Sequence, residues 1–112
     1  MKLVTAIIKP FLLEEVRDAL IAAGVTGLTI TEVKGFGTQR GHAEIYRGEE
    51  YSIRFISKLR VEIVVSEQNL DKAINAICTS ARTGQVGDGK IFVTPIERAV
   101  RIRTGEIDTS AI

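Results

Sequence analysis

Lys58-Leu59-Arg60-Val61-Glu62-Ile63-Val64-Val65 carries the cleanest alternation in the chain. Leu59, Val61, Ile63 and Val65 fall on one face of an extended segment, and Lys58, Arg60, Glu62 and Val64 on the other. The stretch reads as a strand with one buried side. Directly after it Ser66 stands as a helix N-cap, and Leu70, Ala73, Ile74, Ile77 and Ala81 recur at helical spacing. Gly84 and Gly87-Asp88-Gly89 break the chain, residues 90–96 read as another strand, and 99–103 as a short strand-like stretch. The last residues, 106–112, read as a mobile end.

The half before the 58–65 strand has the same order. Residues 2–9 are rich in Val, Thr and Ile and end at Pro10, which marks a strand. Leu3 and Ile7 lie on one of its faces and Val4, Ala6 and Ile8 on the other, so this strand requires cover on both sides. Leu13, Val16, Leu20 and Ala23 then form a helical stripe, with Gly24 as a C-terminal cap. Residues 27–36 alternate again and end at Gly35-Phe36-Gly37. Residues 38–56 show neither periodicity, and a gap of that length in a compact domain is functional or mobile. The order is β-α-β-(long loop)-β-α-β, the ferredoxin-like α+β layout: an antiparallel sheet with both helices on one face, in a single domain over 1–112. Helices cover only one side, so the apolar residues on the other side of the first strand predict self-association, most economically as a cyclic homo-oligomer with clefts at its seams.

Composition limits the function. Fifteen Lys and Arg against fourteen Asp and Glu give a net charge of +1, which argues against nucleic acid as the main partner. The single Cys78 excludes an internal disulfide and reads as core, and the single His42 excludes a multi-histidine metal site within one chain. No apolar run approaches the about 20 residues of a membrane span, and the N-terminus lacks a signal-peptide layout, so a soluble cytoplasmic protein is expected.

Two segments carry chemistry. Gly84-Gln85-Val86-Gly87-Asp88-Gly89-Lys90 matches the start of a phosphate loop, but Ile91 stands where Ser or Thr would hold Mg²⁺ and the glycines lead into a strand. It reads either as a plain turn with a surface lysine or as a loop whose backbone N–H groups approach an anion. Arg101-Ile102-Arg103 would place two guanidiniums on one face of an extended segment, either to hold phosphate oxygens or to keep an edge strand polar. Glu62 could accept from an adenine or a ribose hydroxyl, or pair with Lys58 or Arg60. Tyr46 and Tyr51 bracket Arg47-Gly48-Glu49-Glu50 in the long loop, where exposed tyrosines can enter a partner or be modified. No Ser–His–Asp or Cys–His arrangement and no placed carboxylate pair is visible, so the pattern favours a sensor over an enzyme.

The chain as a whole resembles the PII signal transduction family, the nitrogen-status regulators. The likeness runs through Ile7-Ile8-Lys9-Pro10-Phe11, Thr31-Glu32-Val33-Lys34-Gly35-Phe36-Gly37, Tyr46-Arg47-Gly48-Glu49-Glu50-Tyr51, residues 83–93 and Arg101-Ile102-Arg103-Thr104-Gly105-Glu106. The resemblance implies a homotrimer with nucleotide sites at its seams, where ATP and ADP compete. It implies that Gly87, Asp88, Gly89 and Lys90 surround the phosphates and that Arg101 and Arg103 reach in from the neighbouring subunit. Ile7, Thr29, Glu62 and Val64 would line the adenine end, with Gly35, Phe36, Gly37 and Thr38 beside the nucleotide. Gln39, Lys58 and Gly87 would hold 2-oxoglutarate, with Gln39 supplying an oxygen to a Mg²⁺ shared with the ATP phosphates.

By the same resemblance, residues 37–55 form a partner-binding loop acting through Tyr46, Arg47 and Tyr51. Its partners would be ammonium transporters, met without membrane insertion, and enzymes or regulators of nitrogen metabolism. Tyr51 matches a tyrosine that many members have uridylylated or adenylylated. Three features depart from the pattern: Thr38 stands where many members carry Arg, Glu49 replaces a small residue, and Glu49 with Glu50 makes the surroundings of Tyr51 acidic. Thr38 and the altered loop keep open a divergent sensor of another small metabolite with nucleotide as co-ligand. A slow ATP-hydrolysing enzyme is the alternative from another class.

Overall fold

In a computed structural model of the chain, residues 1–36 and 55–112 are described. Four strands and two helices follow in the order β1 (Lys2–Ile8), α1 (Leu13–Ala22), β2 (Thr29–Gly35), β3 (Ile56–Val65), α2 (Leu70–Ala81) and β4 (Lys90–Pro95). The strands form one antiparallel sheet in the order β2-β3-β1-β4. This is the ferredoxin-like α+β arrangement that the alternation of periods predicts.

The period-2 pattern of β3 decides which side of the sheet is covered. Leu59, Val61, Ile63 and Val65 are buried, and so are Val4, Ala6 and Ile8 of β1. They meet Val16 and Leu20 of α1 and Ala73, Ile77 and Ala81 of α2 in one apolar cluster. Leu20 and Ile77 are almost wholly buried, and cutting either to Ala would cost about 2–5 kcal/mol. Gly24, at φ +92°, ends α1. Its N–H donates to the Ile21 carbonyl and that of Val25 to the Leu20 carbonyl, the paired bonds of a left-handed helix cap. Ser66 precedes a 3-10 turn, Glu67–Asn69, but its side chain makes no capping bond. The Asn69 side-chain amide instead donates to the Ala23 carbonyl at 3.2 Å and ties the end of α1 to the start of α2.

The opposite face has no helical layer among the described residues. It presents Leu3, Thr5 and Ile7 of β1, and the register places Thr29, Thr31 and Val33 of β2, Lys58, Arg60, Glu62 and Val64 of β3, and Lys90, Phe92 and Thr94 of β4 on the same side.

Two sequence expectations change. Cys78 is half-buried and so lies at the margin of the core. Residues 99–103 do not form a strand: Val100 makes a single bridge to Ile107, and a turn follows. Ile102 is 99% exposed, so the Arg-Ile-Arg alternation has no apolar partner surface to hold it extended. The 106–112 segment carries that bridge and a 3-10 turn over Asp108–Ala111.

Candidate functional site

After α2 the chain passes through residues 83–89 and enters β4 opposite Ile7. Gly84, Gly87 and Gly89 all have positive φ, at 85°, 98° and 99°. At Gly89 the requirement is steric as well as torsional, because a Cβ there would lie 1.6 Å from the Ile7 carbonyl oxygen. The glycine thus lets the loop press directly on the backbone of β1.

The Asp88 carboxylate organises the loop. Its Oδ2 accepts the N–H groups of Thr83 at 2.8 Å and Gly84 at 2.9 Å, and its Oδ1 accepts the Thr83 hydroxyl at 2.5 Å. Lys9, just past β1, brings Nζ to 3.0 Å from Oδ1 and donates to the Thr83 hydroxyl oxygen at 3.1 Å. The Thr83 bonds, chiefly that of its hydroxyl and then of its N–H, hold the Asp88 carboxyl well below its ordinary 3.8. Lys58, on the open face of β3, donates to the Gly87 carbonyl. Burial and then the nearby Lys9 charge push the Lys58 pKa down, against a smaller upward pull from Asp88. Two ammonium groups therefore compete beside one carboxylate, which favours an incoming anion.

Six residues expected at the site, Ile7, Lys58, Gly87, Asp88, Gly89 and Lys90, come together at this end of the sheet. Lys9 and Thr83 were not singled out as site residues by sequence reasoning. Lys9 shares strand parity with Ile7, and Thr83 lies five residues before Asp88; neither spacing reveals a contact across 74 residues of chain. The Asp88 carboxylate faces its own loop and Lys9. An acidic side chain beside phosphates would repel them, and here it is occupied by cation and N–H groups.

Thr29 and Glu62 are partners across β2 and β3, and Val64 faces Leu3 of β1. Glu62 lies four residues along β3 from Lys58, about 13 Å at strand rise. It accepts weakly from the Thr5 hydroxyl at 3.4 Å and lies 3.9 Å from Arg60 Nε. Gly35 ends β2 opposite Ile56, and the Phe36 and Phe55 rings meet edge to face with centroids 6.0 Å apart. Gly37, Thr38, Gln39, His42, Tyr46, Arg47 and Tyr51 lie outside the described residues.

Arg101 and Arg103 stand elsewhere. β4 runs from Lys90 opposite Ile7 to Pro95 opposite Lys2, and the Ile96 N–H then bonds the Met1 carbonyl. The C-terminal segment thus leaves the sheet about 17 Å along the strand from the glycine loop. Arg101 Nε lies 3.5 Å from Glu106 Oε1 within its own turn, and Arg103 has no ion pair among the described residues. The same-face argument for these two arginines fails because the backbone between them turns.

A cavity of about 380 Å³ adjoins the loop on the helical side, lined by Ile74, Ile77 and Cys78 of α2 and Ile91 and Val93 of β4, with Arg82 and Lys90 also in its wall. Among the described residues no three His, Cys, Asp or Glu side chains converge as a metal site. No described helix is long and apolar enough to cross a membrane.

The model of the family "Nitrogen regulatory protein P-II" matches residues 1–106. The chain is 62% identical over 112 residues to Nitrogen regulatory protein P-II of Rhizobium etli, covering all of both chains. It is 55% identical to Nitrogen regulatory protein GlnK of Escherichia coli K12 and 54% identical to Nitrogen regulatory protein P-II of a Synechocystis species, again over the full length of each.

Proposed function

The chain belongs to the nitrogen regulatory protein P-II family, and we propose that it works there as a non-catalytic cytoplasmic sensor of ATP, ADP and 2-oxoglutarate. Membership assigns it to nitrogen regulatory signalling. The proposal adds the ligands, their site and the route to the target.

The observation that carries it is the separation of two cationic groups within one chain. Lys9, Lys58 and Lys90 gather at the glycine loop, while Arg101 and Arg103 leave the sheet at its other end. A triphosphate brings about four negative charges and calls for both groups. Copies of the chain packed by the open sheet face would supply the arginines from a neighbour, and a homotrimer closes such a ring with three equal sites. Arg101 and Arg103 then bind phosphate oxygens, Gly87, Gly89 and Lys90 surround them, and Ile7, Thr29, Glu62 and Val64 hold the base, with Gly35, Phe36, Gly37 and Thr38 alongside.

Mg²⁺ characteristically takes a few protein oxygens together with ligand phosphates. The absence of a carboxylate cluster among the described residues suits a metal held by Gln39, ATP and the keto acid. Bound Mg²⁺ would supply charge neutralisation between the triphosphate and 2-oxoglutarate. Lys58 and Gly87 would hold the keto acid itself. Releasing the Gly87 carbonyl would let the Lys58 ammonium meet a carboxylate. ADP lacks the γ-phosphate and leaves that site incomplete, so the two nucleotides favour different arrangements of residues 37–55. Ammonium transporters and enzymes or regulators of nitrogen assimilation would read the arrangement through Tyr46, Arg47 and Tyr51, with Tyr51 open to nucleotidylylation.

Calorimetry of the purified chain tests this reading. ATP binds, and 2-oxoglutarate gives heat only when ATP and Mg²⁺ are both present. No heat for 2-oxoglutarate with Mg-ATP removes the keto-acid site, and no heat for ATP removes the nucleotide sensor.

A further inference from the structure

We infer that Lys9 is a positioning residue: with Thr83 it clamps the Asp88 carboxylate and so holds the 83–89 loop in the form that receives phosphate. The inference rests on the nucleotide reading of this loop.

The loop has little intrinsic rigidity. Three of its seven residues are glycines at positive φ, and a free chain of that composition has many other conformations open to it. Apart from the Lys58 bond to the Gly87 carbonyl, its side-chain bonds meet at one carboxylate or its hydroxyl partner. Asp88 accepts from two backbone N–H groups and one hydroxyl of residues 83 and 84, and the Thr83 hydroxyl oxygen accepts the Gln85 N–H at 3.2 Å. Every one of these partners belongs to the loop, so they close it on itself without fixing it to the sheet. Lys58 and the Gly89 contact with Ile7 tie residues 87–89 to the sheet, and Lys9 ties the carboxylate cluster to it, because it bonds both Asp88 and Thr83 and sits one residue beyond β1. The Lys9 and Asp88 side chains are only 19% and 23% exposed, which separates the pair from a solvated surface bridge of little worth.

The remaining backbone donors show what the clamp is for. Among the described residues, the N–H groups of Val86 and Gly87 meet no acceptor, while that of Asp88 closes the turn at 86–87. Successive free N–H groups in a glycine turn make a concavity for an anion, and they do so only while the turn keeps its shape. Neutralising Asp88 through Lys9 also removes a negative charge from the place where phosphate would arrive. Lys9 thus serves the ligand through Asp88 and needs no contact with it.

Two measurements on the full chain test this. Hydrogen exchange of the nucleotide-free protein reads the clamp without any ligand. Lys9→Met and Asp88→Asn each speed exchange of the Thr83 and Gly84 amides about tenfold or more, and Lys9→Arg leaves them near wild type. Unchanged exchange in Lys9→Met overturns the clamp. Calorimetry with ATP reads its purpose. Lys9→Met and Asp88→Asn each weaken ATP about tenfold, the double variant is no weaker than either single one, and Lys9→Arg recovers most of the affinity. Losses that add in the double variant overturn the inference, since Lys9 would then act on phosphate directly. Faster exchange in the variants, together with a wild-type protein that binds no ATP, leaves the clamp standing and removes the function assigned to the loop.

Discussion

The two ends of β4 lead to two polar segments that share the candidate phosphate ligands, and the two are built in opposite ways. Residues 83–89 are held from afar: Lys9 and Lys58 reach them from β1 and β3, and Gly89 rests on the Ile7 backbone. The C-terminal turn is held from within. Arg101 and Glu106 exchange backbone and side-chain contacts, the Gly105 N–H closes on the Arg101 carbonyl, and Asp108 bonds Ala99. A loop fixed by distant strands is a finished part of the subunit's own architecture. A turn fixed by itself keeps its shape wherever the chain presents it, so its cations are available to another copy.

Substitutions can separate these two kinds of construction. The largest effect is expected at Gly89→Ala, where the new methyl meets backbone and cannot be accommodated by a side-chain shift. Urea unfolding should show a loss of about 3 kcal/mol or more, and a near-neutral result would mean that the loop stands off β1. Next comes Arg101→Ala, which should weaken ATP by about 1–3 kcal/mol, the scale of a lost charge-assisted bond. Its unfolding midpoint should hardly move, because the Glu106 pair is half-exposed and worth less than about 1 kcal/mol. Equal losses of affinity and stability would show that the arginine serves its own turn. Gly105→Ala should cost about 1–2 kcal/mol, since φ is +76° but the site is open within 4 Å. The contrast with Gly89 isolates steric contact from torsional strain.

The smallest effect concerns acid. Asp88 titrates below its ordinary value in the fold, so its share of stability is complete above the unfolded pKa near 4. That share is lost as pH falls from there toward the lower folded pKa. Asp88→Asn should therefore be less stable at neutral pH and lose less between pH 4 and pH 2 than the wild type does. A carboxyl that titrates at the ordinary 3.8 in the folded protein would place the clamp outside the solution structure.

The elements were legible because each has one dominant period. Leu59 to Val65 alternates with every second residue buried, and Val16 with Leu20, or Ala73 with Ile77 and Ala81, repeats at helical spacing and is buried accordingly. The 99–103 stretch misled because a turn and an edge strand both tolerate charged residues two apart. The missing signal was an apolar residue with something to cover, and Ile102 has nothing. At the candidate site the glycine cluster could be read as a turn or an anion loop, and Lys58 entered only through the family resemblance. Lys9 and Thr83 could not, because their bonds join the two ends of the fold and depend on where β1 stops. Glu62 was readable only as a choice between partners, and Arg60 lies 3.9 Å from it.

The β2–β3 ladder closes at Gly35 and Ile56, and the Phe36 and Phe55 rings meet just beyond. The register of the described strands is therefore set by residues on either side of 37–54. The platform is modular in consequence: a different sequence can be inserted between the two aromatic gateposts without rewriting the sheet. The thermodynamic penalty for length is small, since doubling a flexible connector adds only about 0.6 kcal/mol. The sequence can thus change at that opening while the glycine-loop end stays as it is.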